Sequence, residues 1–269
     1  MCLGAVIAVA SCSGSSDALL IVANSRGSVG TGEQRILLSI VDQSTNELMA
    51  SPDLEVVATL RDGIGSPIGE FEGQFLWLIP DVRGMYSFTM DIPGPATYQL
   101  TLDAGELGEL GPVGLEAVTD PPQIAVGDMA PRSATRTLED AALDDLTSDP
   151  DPDESLYELT VAEAVDAGPA VIVLATPAWC TTQSCGPMVD QVQAIKGGFD
   201  EVNFVHVEVF ENIHVTNRED LVLAPGISDW GITSEPWLYV VDGDGIVTSA
   251  FEGAVSDEEL VEAIAAVAP

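Results

Sequence analysis

The run Val171-Ile172-Val173-Leu174-Ala175 is apolar and rich in β-branched residues, and it leads into a polar turn that carries two cysteines, Cys180 and Cys185. Gly186-Pro187 after the second cysteine is a common helix opening. The stretch therefore predicts a strand feeding a thiol pair into a helix N-terminus. Unpaired N–H groups and the helix dipole at such an end favour thiolate over thiol, so a cysteine placed there is nucleophilic.

Ala178-Trp179-Cys180, followed by Cys185-Gly186-Pro187, resembles the active-site segment of the thioredoxin-like superfamily, with four residues between the cysteines instead of the family's two. Two registers follow. In the first, Trp179-Cys180 matches the family's Trp-Cys, so Cys180 is the attacking thiol and Cys185 the resolving one. In the second, Cys185-Gly186-Pro187 matches the family's Cys-Gly-Pro, and Met188 stands where the second cysteine should be. The first keeps the family's strand-to-cysteine length from Leu174 and is preferred. It also puts Leu174 where the family has a buried acid, so no proton acceptor for the resolving thiol is evident.

At 269 residues the chain is long enough for two ordinary domains, and 46% hydrophobic residues can fill their cores. The formal net charge of −36, from 44 acidic and 8 basic residues, argues against nucleic acid or an anionic lipid surface as a partner of the soluble part. Four cysteines are too few for a disulfide-dense scaffold, so Cys180 and Cys185 need a local chemical reason.

Residues 1–17 contain a short apolar run, Leu3 to Ala10, too short to span a bilayer. Val9-Ala10-Ser11-Cys12 resembles a bacterial lipobox. That resemblance implies lipidation of Cys12, with Ser13 to Ser16 as a tether and the protein held at the extracytoplasmic face of the cell membrane.

Residues 18–118 read as an all-β immunoglobulin-like sandwich, because short alternating segments are separated by Gly, Pro, Asp and Asn. The expected strands are Leu19–Ala23, Gln34–Val41, Leu54–Leu60, Phe71–Leu78, Met85–Ile92, Thr97–Leu102 and Val113–Val118. Tyr86, Phe88, Met90 and Ile92 fall on one face. Trp77 and Tyr86 are expected in the core. Gly84-Met85-Tyr86 through Tyr98-Gln99-Leu100 resembles the closing hairpin of bacterial immunoglobulin-like modules.

Pro121-Pro122 marks the boundary to residues 119–269, and Val126-Gly127-Asp128-Met129-Ala130-Pro131 resembles the entry of peroxiredoxin-like and cytochrome-maturation thioredoxin-like domains. Leu138 to Glu154 reads as an acidic, solvated crossing. The remaining pattern predicts a helix over Val161–Ala167 with a Thr160/Glu163 capping box, the strand Ala170–Ala175, a helix from Met188 to Lys196, and a strand from Val202 to Phe210. A short helix over Ala224–Trp230, strands Trp237–Val241 and Ile246–Phe251, and a last helix capped by Ser256 complete it. This β-α-β then β-β-α order resembles an α/β thioredoxin-like domain. Thr233-Ser234-Glu235-Pro236-Trp237 stands where that superfamily carries a cis-proline facing the cysteines, which implies Trp179, Glu235 and Pro236 as substrate-binding residues.

Three functions are expected from these readings. The first is cofactor-free thiol–disulfide exchange with protein thiols or disulfides, with Cys180 and Cys185 catalytic. The second is a copper-binding or copper-delivering module resembling Sco-type chaperones, with Cys180, Cys185, His206 and His214 as ligands and Met188 as a further candidate. The third is a tethered interaction module in which Cys180–Cys185 is a structural disulfide.

Overall fold

The computed structural model describes residues 18–23, 28–45, 47–79 and 82–269. The expected signal and tether over 1–17, with Cys12, lie outside the described residues.

Eight strands build the first part: β1 (Ala18–Val22), β2 (Gly32–Asp42), β3 (Val57–Arg61), β4 (Pro67–Glu72), β5 (Gln74–Ile79), β6 (Arg83–Ile92), β7 (Ala96–Asp103) and β8 (Glu109–Ala117). They form two four-stranded antiparallel sheets, ordered β1-β2-β6-β5 and β4-β3-β7-β8. The period-two alternation of β6 puts Tyr86, Phe88, Met90 and Ile92 between the sheets, against Leu60, Leu100 and Leu102. This is an immunoglobulin-like β-sandwich.

Three expectations change here. The segment expected as one strand over Phe71–Leu78 is two strands in different sheets, β4 and β5, divided at Gly73. A Cβ on Gly73 would lie 2.5 Å from Val56 Cγ2 and 2.7 Å from Phe88 Cζ, so only glycine lets the chain cross so close to the core. Second, β6 and β7 belong to opposite sheets, so the connection through Pro93-Gly94 arches over the core and is not a hairpin. Third, Trp77 is 38% exposed, because in β5 it alternates with the buried Leu76 and Leu78 and points to the other face. Tyr86 is fully buried, and its hydroxyl donates to Ser51 O at 3.0 Å.

The second part is a mixed sheet ordered β10-β9-β11-β12, from β9 (Ala170–Ala175), β10 (Asn203–Glu208), β11 (Trp237–Val241) and β12 (Val247–Glu252). The β9–β10 pair is parallel and the other two are antiparallel. The helices are α1 (Leu143–Leu146), α2 (Val161–Ala167), α3 (Cys185–Ile195) and α4 (Asp257–Ala265). Val171, Val173 and Ala175 of β9 pack with Met188, Val189 and Val192 of α3 and with Leu260 and Ile264 of α4. Ala170, Ile172 and Leu174 face the opposite core, with Val161 and Val165 of α2 and with Trp230. Both capping boxes form: the Thr160 and Ser256 side chains accept from the Glu163 and Glu259 amides, and each glutamate reaches back.

The expected solvated crossing over Leu138–Glu154 is instead part of the packing. Leu146 joins the core with Leu156 and Tyr157 of the following turn, and Asp149 is buried, accepting from Gln193 Nε2 at 2.7 Å. Its acidic composition hid the few apolar anchors that hold it down.

The two parts meet along the outer face of the first sandwich sheet. Leu37, Leu76, Leu78 and Met85 cluster with Ala254, next to a bidentate pair in which Arg35 Nε and Nη2 donate to Glu259 Oε1 and Oε2, each at 3.2 Å. Burial alone would raise the Glu259 carboxyl, but the Arg35 charge and the Ser256 hydrogen bonds overcome it and hold it below its ordinary range. Arg35→Ala leaves a half-buried carboxylate without its fork and should cost about 1–2 kcal/mol in thermal unfolding. A loss below about 0.5 kcal/mol, the level of an ordinary surface pair, would show that this contact does not join the parts.

Candidate functional site

Strand β9 delivers the site. After Ala175 the chain makes a 3-10 turn, Pro177–Trp179, then reaches Cys180, loops through 181–184 and enters α3 at Cys185. The helix begins at Cys185, three residues earlier than expected, because Ser184 O already accepts from the Met188 amide. Cys180 and Cys185 form a disulfide with their Cα atoms 5.9 Å apart. Cys185 is fully buried against α3's core, and Cys180 is half-buried.

Two donors converge on the outer sulfur. The Cys185 N–H donates to Cys180 Sγ at 3.2 Å, and the Thr182 hydroxyl lies 3.2 Å from the same atom. The first is a free amide of a helix N-terminus, where negative charge is stabilised. Thr182 is itself 2.5 Å from the Ser184 hydroxyl. Gln183 carries φ +63, the left-handed region that L-residues rarely adopt, and its amide oxygen accepts from Arg83 Nη1 of the sandwich at 2.8 Å. The sandwich thus touches the loop between the two cysteines.

Trp179 is half-buried, and its Nε1 donates to Ile213 O at 3.0 Å. Arg218 joins the two segments singled out in the sequence: one guanidinium nitrogen donates to Trp179 O, and Nη2 donates to Glu235 Oε1 at 3.1 Å. The Glu235–Pro236 bond is cis. Glu235 is therefore held in an ion pair, its side chain 11% exposed, and is not a free base for the cysteines.

The four alternative copper ligands are not gathered. His206 is buried; a carbonyl can only accept, so its Nε2 donates to Ala175 O at 3.2 Å and its Nδ1 accepts from Tyr157 Oη at 2.7 Å. Burial lowers its pKa to about 4, against the Ala175 bond and the charge of Asp149. His214 is exposed and pairs with Asp145 at 3.1 Å. Among the described residues no group of three His, Cys, Asp or Glu side chains could hold a metal ion.

Sequence reasoning missed Glu208. It ends β10, is 4% exposed, and its Oε2 accepts from Ser148 N at 2.8 Å and Ser148 Oγ at 2.7 Å. Ser148 Oγ in turn accepts from the Ala178 amide at 3.0 Å, two residues before Cys180. Glu208 Oε1 and the buried Thr176 Oγ1 have no partner of full hydrogen-bond geometry, although the Thr176 hydroxyl lies close enough to act on the carboxyl. Burial pushes the Glu208 carboxyl up to about 7, against the Thr176 hydroxyl and the Ser148 hydrogen bonds, with the Glu235 charge adding to the rise. The only hint in the sequence was the alternation of β10, where His206 and Glu208 share a face between Val205, Val207 and Val209. Its partner Ser148 is 60 residues away in sequence.

No protein-family model matches this chain, and no curated protein matches it. Among solved structures, the crystal structure of the Lin-41 filamin domain is similar at 14% identity with a TM-score of 0.27, over 39% of this chain and 96% of that one. These comparisons correct the resemblance read from the cysteine segment. They give no support for membership of the thioredoxin-like superfamily, and the described chain holds more residues in strands than in helices.

The Glu208 carboxyl has a pH signature of known sign. Its folded pKa of about 7 lies above the ordinary 4.5, so the native state keeps a proton that the unfolded chain has lost, and its stabilising contribution fades as pH rises from 4.5 to 7. His206, lowered to about 4, acts oppositely, adding stability as pH rises toward 6.5. The readout is therefore the difference between Glu208→Gln and wild type in urea unfolding. Relative to wild type the variant should gain stability progressively through that window, by roughly 3 kcal/mol between pH 4 and pH 8. A pH-independent difference would mean that Glu208 is ionised at an ordinary pKa.

Proposed function

We propose that the chain exchanges disulfides with protein thiols through Cys180 and Cys185. The observation that carries this reading is the asymmetry of the pair: Cys185 is buried, while the half-exposed Cys180 sulfur receives the helix N-terminal Cys185 N–H at 3.2 Å. That donor is aimed at the sulfur that is released as a thiolate when the mixed disulfide is resolved, and that attacks in the reverse direction. A partner thiolate attacks Cys180 Sγ, the Cys180–Cys185 bond breaks, and Cys185 leaves with the electron pair and takes a proton. The partner's second thiolate then attacks its own sulfur in the mixed disulfide, releasing Cys180 as a thiolate and the partner as a disulfide. The reverse sequence reduces a partner disulfide, with Cys180 attacking and Cys185 resolving. Arg218 ties Trp179, next to Cys180, to Glu235 of the Glu235–Pro236 segment, and on this reading those residues are the ones a partner chain would meet.

Cys185→Ser should accumulate mixed disulfides through Cys180, detected as reductant-sensitive adducts, whereas Cys180→Ser should trap none. Trapping through Cys185 in the Cys180→Ser variant would exchange the two roles. If neither variant traps a partner and the wild-type disulfide resists a graded thiol redox buffer, the pair is a structural closure of the loop. No observation favours the copper reading.

The second element of the proposal is location. The Val9-Ala10-Ser11-Cys12 segment supports a lipid anchor on Cys12 outside the cytoplasm, and no helix among the described residues is long and apolar enough to cross a membrane. Cys12→Ser should move the protein from the membrane to the soluble extracytoplasmic fraction. Unchanged membrane association, or a mature N-terminus elsewhere, would refute the anchor.

A further inference from the structure

Ser148 occupies a specific place between a buried carboxylate and the turn that carries the disulfide. Its backbone N–H and its hydroxyl both donate to Glu208 Oε2, at 2.8 and 2.7 Å. With its proton committed to Glu208, the hydroxyl oxygen can only accept, and it takes the Ala178 N–H at 3.0 Å. Ala178 sits in the single 3-10 turn between the end of β9 and Cys180. That turn has few backbone bonds of its own: the Trp179 amide reaches Thr176 O at 3.1 Å, and Ala178 relies on Ser148.

We propose that Glu208 is a positioning residue for the disulfide: through Ser148 it fixes the Ala178 amide, and so the placement of the Cys180 sulfur. The direction of the hydroxyl bond is the essential point. A serine without the carboxylate could turn its proton toward the peptide and present no oriented lone pair, whereas two bonds to one carboxylate oxygen leave it a single orientation. Other groups around Glu208 are already committed. His206 is bonded to Tyr157 and Ala175, Glu235 is paired with Arg218, and Asp149 accepts from Gln193. Ser148 is thus the route by which Glu208 reaches the Ala178 amide. Thr176, at the start of the same turn, sets its buried hydroxyl against the Glu208 carboxyl without full hydrogen-bond geometry, a second contact that does not touch the Ala178 amide.

This assignment gives the proposed exchange a residue that holds the reactive sulfur in place, and it can be tested without any exchange partner. The test uses the full chain in its oxidised form, with Glu208→Ala, Glu208→Gln, Ser148→Ala and the double variant Glu208→Ala/Ser148→Ala. Two quantities are read: the hydrogen-exchange protection of the Ala178 amide, and the rate at which a water-soluble phosphine opens the disulfide. In that reaction the phosphine is oxidised to its oxide with the oxygen of water, and two thiols form.

Glu208→Ala and Ser148→Ala should each lower Ala178 protection by about tenfold, the scale of one hydrogen bond, and accelerate reduction in the same order. Glu208→Gln keeps an acceptor oxygen and should restore both to within about threefold of wild type. The double variant should be no worse than Glu208→Ala alone, because that change already removes the Ser148 link. Additive losses, or unchanged Ala178 protection in Ser148→Ala, would overturn the assignment. If Glu208→Ala does not fold, Ser148→Ala and Glu208→Gln still decide it. Failure of mixed-disulfide trapping with these results intact would remove the exchange reading and leave the positioning role standing.

Discussion

Strand β9 is buried on both faces, and the geometry of the site depends on that burial. All six of its residues have no exposed surface, and they alternate between the α3/α4 core and the α2 core. A strand sandwiched this way cannot slip by one residue without exchanging its two side-chain sets, so its register is firmly set. Parallel pairing with β10 then fixes what lies beside its end: Ala175 is opposite Glu208. The cysteine turn starts two residues later, so the buried carboxyl stands at the strand end that leads into that turn because two strands are in register.

Polar groups around that junction are connected rather than merely buried. Glu208, Ser148 and Ala178 form one chain of hydrogen bonds, and His206, Tyr157 and Ala175 form another. Both end on backbone of the segment leading to Cys180. Such networks are costly when half satisfied, and Glu208 Oε1 and Thr176 Oγ1, without partners of full hydrogen-bond geometry, mark where this one is incomplete. A charge kept there is expensive, which is the physical reason the carboxyl holds its proton to about pH 7.

The sandwich is more than a spacer in sequence. It packs its outer face on Ala254, forks Glu259 with Arg35 and reaches the cysteine loop through Arg83 and Gln183. The loop between the cysteines makes the last contact available, since Gln183 is the loop residue turned out into the left-handed region. A chain with only 8 basic residues against 44 acidic ones places two of those arginines at this junction. Opposite charge is scarce here, so where it is used is informative.

Local pattern alone determined much of this protein. The run Ala170–Ala175, both capping boxes, the β11 strand and the alternating β6 face were readable because each depends on neighbours within a few residues. So was the thiol pair at a helix start. A family name was not readable from Trp-Cys and Cys-Gly-Pro, because so short a motif specifies a strand-turn-helix geometry and little about the rest of the chain. Tertiary structure decided the remainder. Gly73 splits an apparently continuous strand because the opposite sheet leaves no room for a Cβ; Leu146 and Leu156 draw an acidic crossing into the core; Arg218 ties Trp179 to Glu235; and Glu208 meets Ser148 across 60 residues. These are contacts between segments distant in sequence, and their energy comes from burial and hydrogen bonding that exist only once the sheet has formed.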